Sequence, residues 1–197
     1  MIVLADVDIV HKLVYCDLLD ELLKWLECPP NEIWVIPTMR YKVRKLLKNN
    51  SPALKRFNAF LDLTKELPAA STDSLISFST LDVGEQQLFA VFSDSPEPMK
   101  IITGDKRAIW QVANLAINNQ KLANRLSNQV DCFEGIILGL IECYGFDAIN
   151  NKILPNRVVD KVLGVAFGIG RNESHAIEAL SSNLNSLRNE AAFVILR

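Results

Sequence analysis

The sequence predicts a parallel α/β domain over residues 1–148, a β-sheet flanked by helices, followed by a C-terminal helical extension over residues 149–197. Three observations lead to that reading. Residues 2–5 and 33–36 are short apolar runs of the kind found in buried parallel strands, and residues 100–103, around Ile101 and Ile102, read as another strand. Each is followed by apolar residues at helical spacing, and strands alternating with helices predict a parallel sheet with right-handed crossovers. Acidic residues sit at the junctions: Asp6 and Asp105 close two of the runs, and Glu85 sits at a predicted helix start. In a parallel sheet, strand ends and the helix starts beside them face one crevice.

Residues 2–5 read as the first strand. Residues 9–27 carry Leu13, Leu18, Leu19, Leu22, Leu23 and Leu26 at helical spacing and stop before Pro29 and Pro30, which cannot continue a helix. Residues 33–36 form a second strand. Pro37 and Thr38 open a second helix to about Leu47, with Asn49, Asn50, Ser51 and Pro52 as its stop. Residues 53–67 are a third helix, and residues 75–78 a short strand. Asp82-Val83-Gly84-Glu85 has capping-box spacing and leads a helix to about Phe92. After a loop at 93–98 come the strand at 100–103 and a helix from Lys106 to about Ala123. Residues 131–144 form a buried helix with Phe133, Ile136, Ile137, Leu140 and Ile141 on one face. Beyond Asn150 the pattern shifts to an apolar segment at 158–167, a Gly168-Ile169-Gly170 break and a polar helix from near Ser174.

Composition narrows the function classes. Apolar residues make up 49% and charged residues 22%, which fits a soluble globular chain. The net charge of -2 means that attraction to nucleic acid must come from a local patch. Cys16, Cys28, Cys132 and Cys143 form no C-x-x-C pair and are joined by only two histidines, which argues against structural zinc. No secretory leader pattern is present, so a cytoplasmic protein with reduced thiols is expected. Charged residues interrupt every apolar stretch before bilayer-spanning length, so no membrane association is expected.

Asp6, with Asp8 two residues on, supplies the carboxylate oxygens that Mg2+ or Mn2+ prefers. Each acid also has a structural reading: Asp8 as a helix cap, Glu85 as half of a capping box, and Asp105 as an N-cap. Their joint order across strand-helix junctions favours function.

Met1-Ile2-Val3-Leu4-Ala5-Asp6-Val7-Asp8-Ile9, Leu81-Asp82-Val83-Gly84-Glu85-Gln86-Gln87 and Ile101-Ile102-Thr103-Gly104-Asp105-Lys106-Arg107-Ala108 resemble the successive acidic motifs of PIN-domain proteins, over about the first 145 residues. The resemblance implies a three-layer sandwich and a Mg2+- or Mn2+-dependent ribonuclease, often the toxin of a toxin-antitoxin pair. It matches Asp6 to the first acid, Glu85 to the third in the branch with a Gly-Glu helix start, and Asp105 to the last. The chain departs from the family after the second strand. A Glu is expected there, but the sequence reads Thr38-Met39-Arg40-Tyr41-Lys42-Val43-Arg44-Lys45, with no acid. Asp8 is the nearest substitute.

In an active site of this type Asp6, Glu85 and Asp105, with Asp8, hold the cation, and the cation activates water and offsets phosphate charge. Thr103 orients a carboxylate or phosphate, and Lys106 neutralises nearby charge. A second stretch is basic: Arg40, Lys42, Arg44, Lys45, Lys48, Lys55 and Arg56 lie together with no acid among them. Such a patch gives sequence-independent phosphate affinity, extended by Lys106 and Arg107, with Tyr41 or Phe57 available for base stacking. Single-stranded RNA is the expected partner. A solvated helix face and a dock for an acidic protein such as an antitoxin are the other readings of the patch, and dimerisation or partner binding is the expectation for the extension.

His11 and His175 have no nucleophilic partner at a recognisable spacing. Trp25, Trp34 and Trp110 read as core or interface. Two other functional readings remain. One is a degenerate PIN-like module that binds RNA or protein without cleaving. The other is a haloacid-dehalogenase-type phosphatase using Asp6 as nucleophile and Asp8 as acid/base, for which no further acid follows Asp105 before Asp131.

Overall fold

β1 (Ile2–Leu4) runs parallel to β2 (Ile33–Val35) on one side and to a strand at Lys100–Ile102 on the other. The computed structural model describes the backbone of Ile2–Leu4 and all of residues 6–191. The predicted strand end at Ala5 and the last residues of the extension, 192–197, lie outside the described residues. Two further parallel strands complete the sheet. These are β3 (Lys65–Glu66) beside β2 and, with Lys100–Ile102 as β4, β5 (Val130–Asp131) beside β4, in the order β3-β2-β1-β4-β5.

The expected three-layer sandwich is corrected by these dimensions. Helix accounts for 69% of the structure. Every strand is two or three residues long, below the usual five or six. The architecture is mixed and α-rich: the strands make a narrow ribbon, and helix-on-helix packing supplies most of the core.

Helices α1 (Val7–Tyr15), α2 (Leu19–Trp25), α3 (Met39–Leu47) and α4 (Ser51–Leu63) follow the first strands. The single helix predicted over 9–27 breaks because Asp17 takes a left-handed φ of 57°, a common helix-ending conformation. α1, α3 and α4 pack together on Leu13, Val43, Leu47 and Phe57, all fully buried. Residues 75–78, expected as a strand, belong to helix α5 (Thr72–Ser77). Its N-cap Ser71 accepts the Ser74 N–H, and Asp94 accepts from both Ser71 and Ser74. An apolar run that short does not separate strand from helix by periodicity.

α6 (Val83–Asp94) leads to β4, and α7 (Lys106–Ile117) follows it. The helix predicted to Ala123 ends early because Asn119 caps a separate α8 (Gln120–Leu126), its side chain accepting the Leu122 N–H at 3.1 Å. α9 (Phe133–Tyr144), α10 (Phe146–Ile153), α11 (Lys161–Ala166) and α12 (Glu173–Glu190) complete the chain, with a 3-10 segment at Leu154–Val159. α9 is the hub of this half, touching α2, α10 and α12. The segment predicted as an extension therefore packs directly on the helix that precedes it. His175 completes the capping box of α12 with Asn172, and His11 packs edge-on to Tyr15.

Candidate active site

Parallel register brings the first and last acids together. Leu4 pairs with Ile102, so Asp6 and Gly104, each two residues further on, lie side by side. The Gly104 N–H donates to Asp6 Oδ2 at 2.6 Å, and the Asp8 N–H donates to Asp6 Oδ1 at 2.7 Å. Glycine at 104 eases this approach, since a Cβ would come within 3.1 Å of both Asp6 Oδ2 and Ile9 Cγ1. Burial, the largest influence, pushes the Asp6 carboxyl above its ordinary range although both N–H donors oppose it.

Asp105 caps α7, its Oδ1 accepting from the Arg107 and Ala108 N–H groups at 2.8 and 3.1 Å. Thr103 is buried, and its hydroxyl accepts the Asp105 N–H at 3.2 Å, so it orients the backbone of the acid. Asp82 caps α6 in the same way, accepting from Gly84 and Glu85. Each cap leaves an oxygen free of the helix, and the two helix starts converge. A hydrogen bond to the Asp105 carboxyl and the charge of that carboxyl both favour the protonated form of Glu85. Burial first, then Asp105 and Asp82, push Glu85 up to about 8.

The result is a cleft of about 380 Å³ lined by Asp6, Asp8, Asp82, Glu85 and Asp105, with Lys42, Lys106 and Arg107 also on its wall. Asp82, which the sequence suggests only as a cap, belongs to the acidic wall; capping and lining are indistinguishable until the neighbouring helix is placed. Lys42 reaches the cleft from α3, the helix where the resembled family places an acid. Lys106 turns partly away, to an ion pair at 2.9 Å with the buried Glu134 of α9.

The basic stretch divides. Arg40, Lys42, Arg44 and Lys45 are exposed on α3, as is Lys48 at its C-cap, and Tyr41 is 73% exposed. Arg56 instead donates to the Val14 carbonyl and pairs with Asp17 at 3.0 Å, a packing role. Phe57 is fully buried, which removes it as a stacking residue, whereas Trp110, expected in the core or at an interface, is 49% exposed one turn after Arg107.

Among the described residues, no group of three or more His, Cys, Asp or Glu is arranged to hold a metal ion. The donor set nevertheless suits a hard cation, since it is carboxylate oxygen throughout. Mg2+ commonly takes only one or two protein carboxylates and keeps its waters. The Glu85 and Asp105 pair would supply that number, and Asp6, Asp8 and Asp82 line the same cleft.

A carboxyl held near 8 gives a signed expectation. Between the unfolded value of 4.5 and the folded value of about 8, the native state holds the Glu85 proton and the unfolded state does not. Stability from this group is present at low pH, falls as pH rises through that window, and levels off above it. Denaturant melts of wild type and Glu85→Gln should coincide most closely near pH 5. The variant should become progressively the more stable of the two towards pH 9.

No helix among the described residues is long and apolar enough to cross a membrane. No family model matches the chain, and no curated protein or solved structure matches it either.

Proposed function

We propose that this chain is a Mg2+- or Mn2+-dependent ribonuclease that hydrolyses phosphodiesters of single-stranded RNA in the acidic cleft. The observation that carries the reading is the convergence of Glu85 and Asp105, from the starts of two different helices, in one cleft that also holds Asp6 and Lys42. Like charges are brought together at a cost, and a cation between them offsets that cost. The order of the acids resembles that of PIN-domain ribonucleases, which supports the same chemistry.

When bound, the cation supplies an activated water and charge compensation at the phosphate. Glu85 and Asp105 hold it, and Asp6 and Asp8 set the negative field around it. Lys42 and Arg107 bind the phosphate from the rim, while exposed α3 residues follow the strand and Tyr41 stacks on a base. The setting proposed is cytoplasmic, consistent with four unpaired cysteines. An acidic protein such as an antitoxin would cover the same basic helix.

Lys42 also favours a second reading, a binding module that has lost catalysis, because it places a cation-repelling ammonium in the acidic cleft. Incubation of labelled single-stranded RNA with Mn2+ separates the two. Cleavage abolished by chelation supports the nuclease, and binding without cleavage, indifferent to chelation, supports the module. The phosphatase reading gains less support, since both Asp6 oxygens already accept backbone N–H bonds.

Replacing Lys42, Lys45 and Lys48 together with alanine should weaken RNA binding for every sequence alike. The slope of log affinity against log salt should fall by about 2, since each lost phosphate contact on a single strand removes about 0.7. Filter binding across a salt series measures it.

A further inference from the structure

Behind the cleft, Lys12 of α1 is a nearly buried ammonium shared by two carboxylates. One is Asp8, an ion pair one helical turn back and itself part of the cleft wall. The other is Asp160, at 2.7 Å, which belongs to the far end of the chain and does not line the cleft. Side-chain exposures of 11% for Lys12 and 14% for Asp160 set this apart from a surface pair screened by water. The Lys12 ammonium is also held over the Phe133 ring, with Nζ 5.0 Å from its centre, a cation–π contact.

We propose that Asp160 and Lys12 are positioning residues for Asp8, and that Asp160 keeps Asp8 available to the cation by drawing off part of the Lys12 charge. The proposal rests on the cation reading of the cleft. Its charge logic is simple. Asp8, Lys12 and Asp160 together carry one net negative charge; without Asp160 the remaining pair is neutral, and the wall of the cleft loses its attraction for a cation. Burial alone would raise the Asp160 carboxyl, but the Lys12 ammonium and the Leu163 N–H overcome it and hold it ionised, below the ordinary range. At 2.7 Å, with both side chains nearly buried, the Lys12 and Asp160 contact is an ion pair.

The arrangement also links chain ends. Asp160 is the N-cap of α11, its Oδ1 accepting the Leu163 N–H at 3.0 Å, so the position of α11 sets how far Lys12 is drawn from Asp8. The C-terminal helices thus have an electrostatic connection to a cleft they do not line.

Asp160→Asn tests this without dismantling α11, because asparagine is as good an N-cap as aspartate. Titration calorimetry with Mn2+ should show affinity about tenfold weaker than wild type, the low end for outer partners of metal ligands. Far-ultraviolet circular dichroism should be unchanged. Asp147→Asn, an exposed change of equal charge on α10, should leave affinity as in wild type. The double variant Lys12→Met with Asp160→Asn restores one net negative charge and should recover most of the lost affinity, which a merely structural role would not produce. Wild-type affinity in Asp160→Asn, equal loss in Asp147→Asn, or no recovery in the double variant overturns the positioning role. If wild type itself fails to bind Mn2+, the cation reading of the cleft falls, and this role with it.

Discussion

Asp105→Asn is expected to remove Mn2+-dependent cleavage of single-stranded RNA while leaving the protein folded. Asparagine retains an oxygen able to accept the Arg107 and Ala108 N–H bonds, so the start of α7 is kept. What disappears is the negative charge beside Glu85. Loss of one carboxylate that holds a catalytic cation should slow cleavage by about 10³-fold, about 4 kcal/mol of barrier. Single-turnover cleavage of an end-labelled RNA, with melting temperature measured in parallel, checks both halves. Cleavage at the wild-type rate would remove Asp105 from the site. Equal loss of melting temperature and of rate would make the residue a cap and nothing more.

Gly139→Ala is expected to give the largest loss of stability from a single added methyl group. Within a helix this exchange ordinarily stabilises, by up to about 1 kcal/mol. Here a Cβ would meet Trp25 Cζ2 at 2.3 Å and Cε2 at 2.6 Å, well inside van der Waals contact, where α2 crosses α9. An indole wedged between helices cannot yield as the end of a lysine can. Overpacking should outweigh the propensity gain and leave a net loss of about 2 kcal/mol, or about 4 to 8 °C in melting temperature for a chain of this size. Reversible thermal denaturation measures it, and an unchanged or raised midpoint would show that the α2 and α9 crossing relaxes freely. Because α9 also carries Glu134, the partner of Lys106, a shifted α9 should disturb the cleft wall as well.

What the residues reveal by themselves follows from range. Capping is local, so Asp82 and Asp105 are legible as N-caps from their spacing, and the structure has them there. The approach of Asp6 to Gly104 depends on strand register but follows from two apolar runs ending alike. Strands of two residues, such as Val130–Asp131, leave no periodic trace, and neither does the break at Asp17, since aspartate tolerates positive φ better than most residues but does not require it. That is why the expected sandwich gave way to a helix-dominated architecture. The Lys12 and Asp160 pair spans most of the chain, and nothing near either residue announces the other. Exposure was equally hidden. Phe57 is fully buried and Tyr41 73% exposed, because Phe57 shares the buried face of α4 with Ala53, Phe60 and Leu61, whereas Tyr41 lies off the buried Met39, Val43 and Leu47 face of α3.

The cation is the premise on which cleavage, the acidic pair and the Asp160 link all rest. Titration calorimetry of Mn2+ into wild-type protein at pH 8.5, above the Glu85 value of about 8, tests it most directly. Saturable binding at one site is expected, weakening sharply towards pH 6 as Glu85 regains its proton and absent from the Glu85→Gln, Asp105→Asn double variant. Absence of binding heat in wild type, or binding undiminished in the double variant, would contradict it.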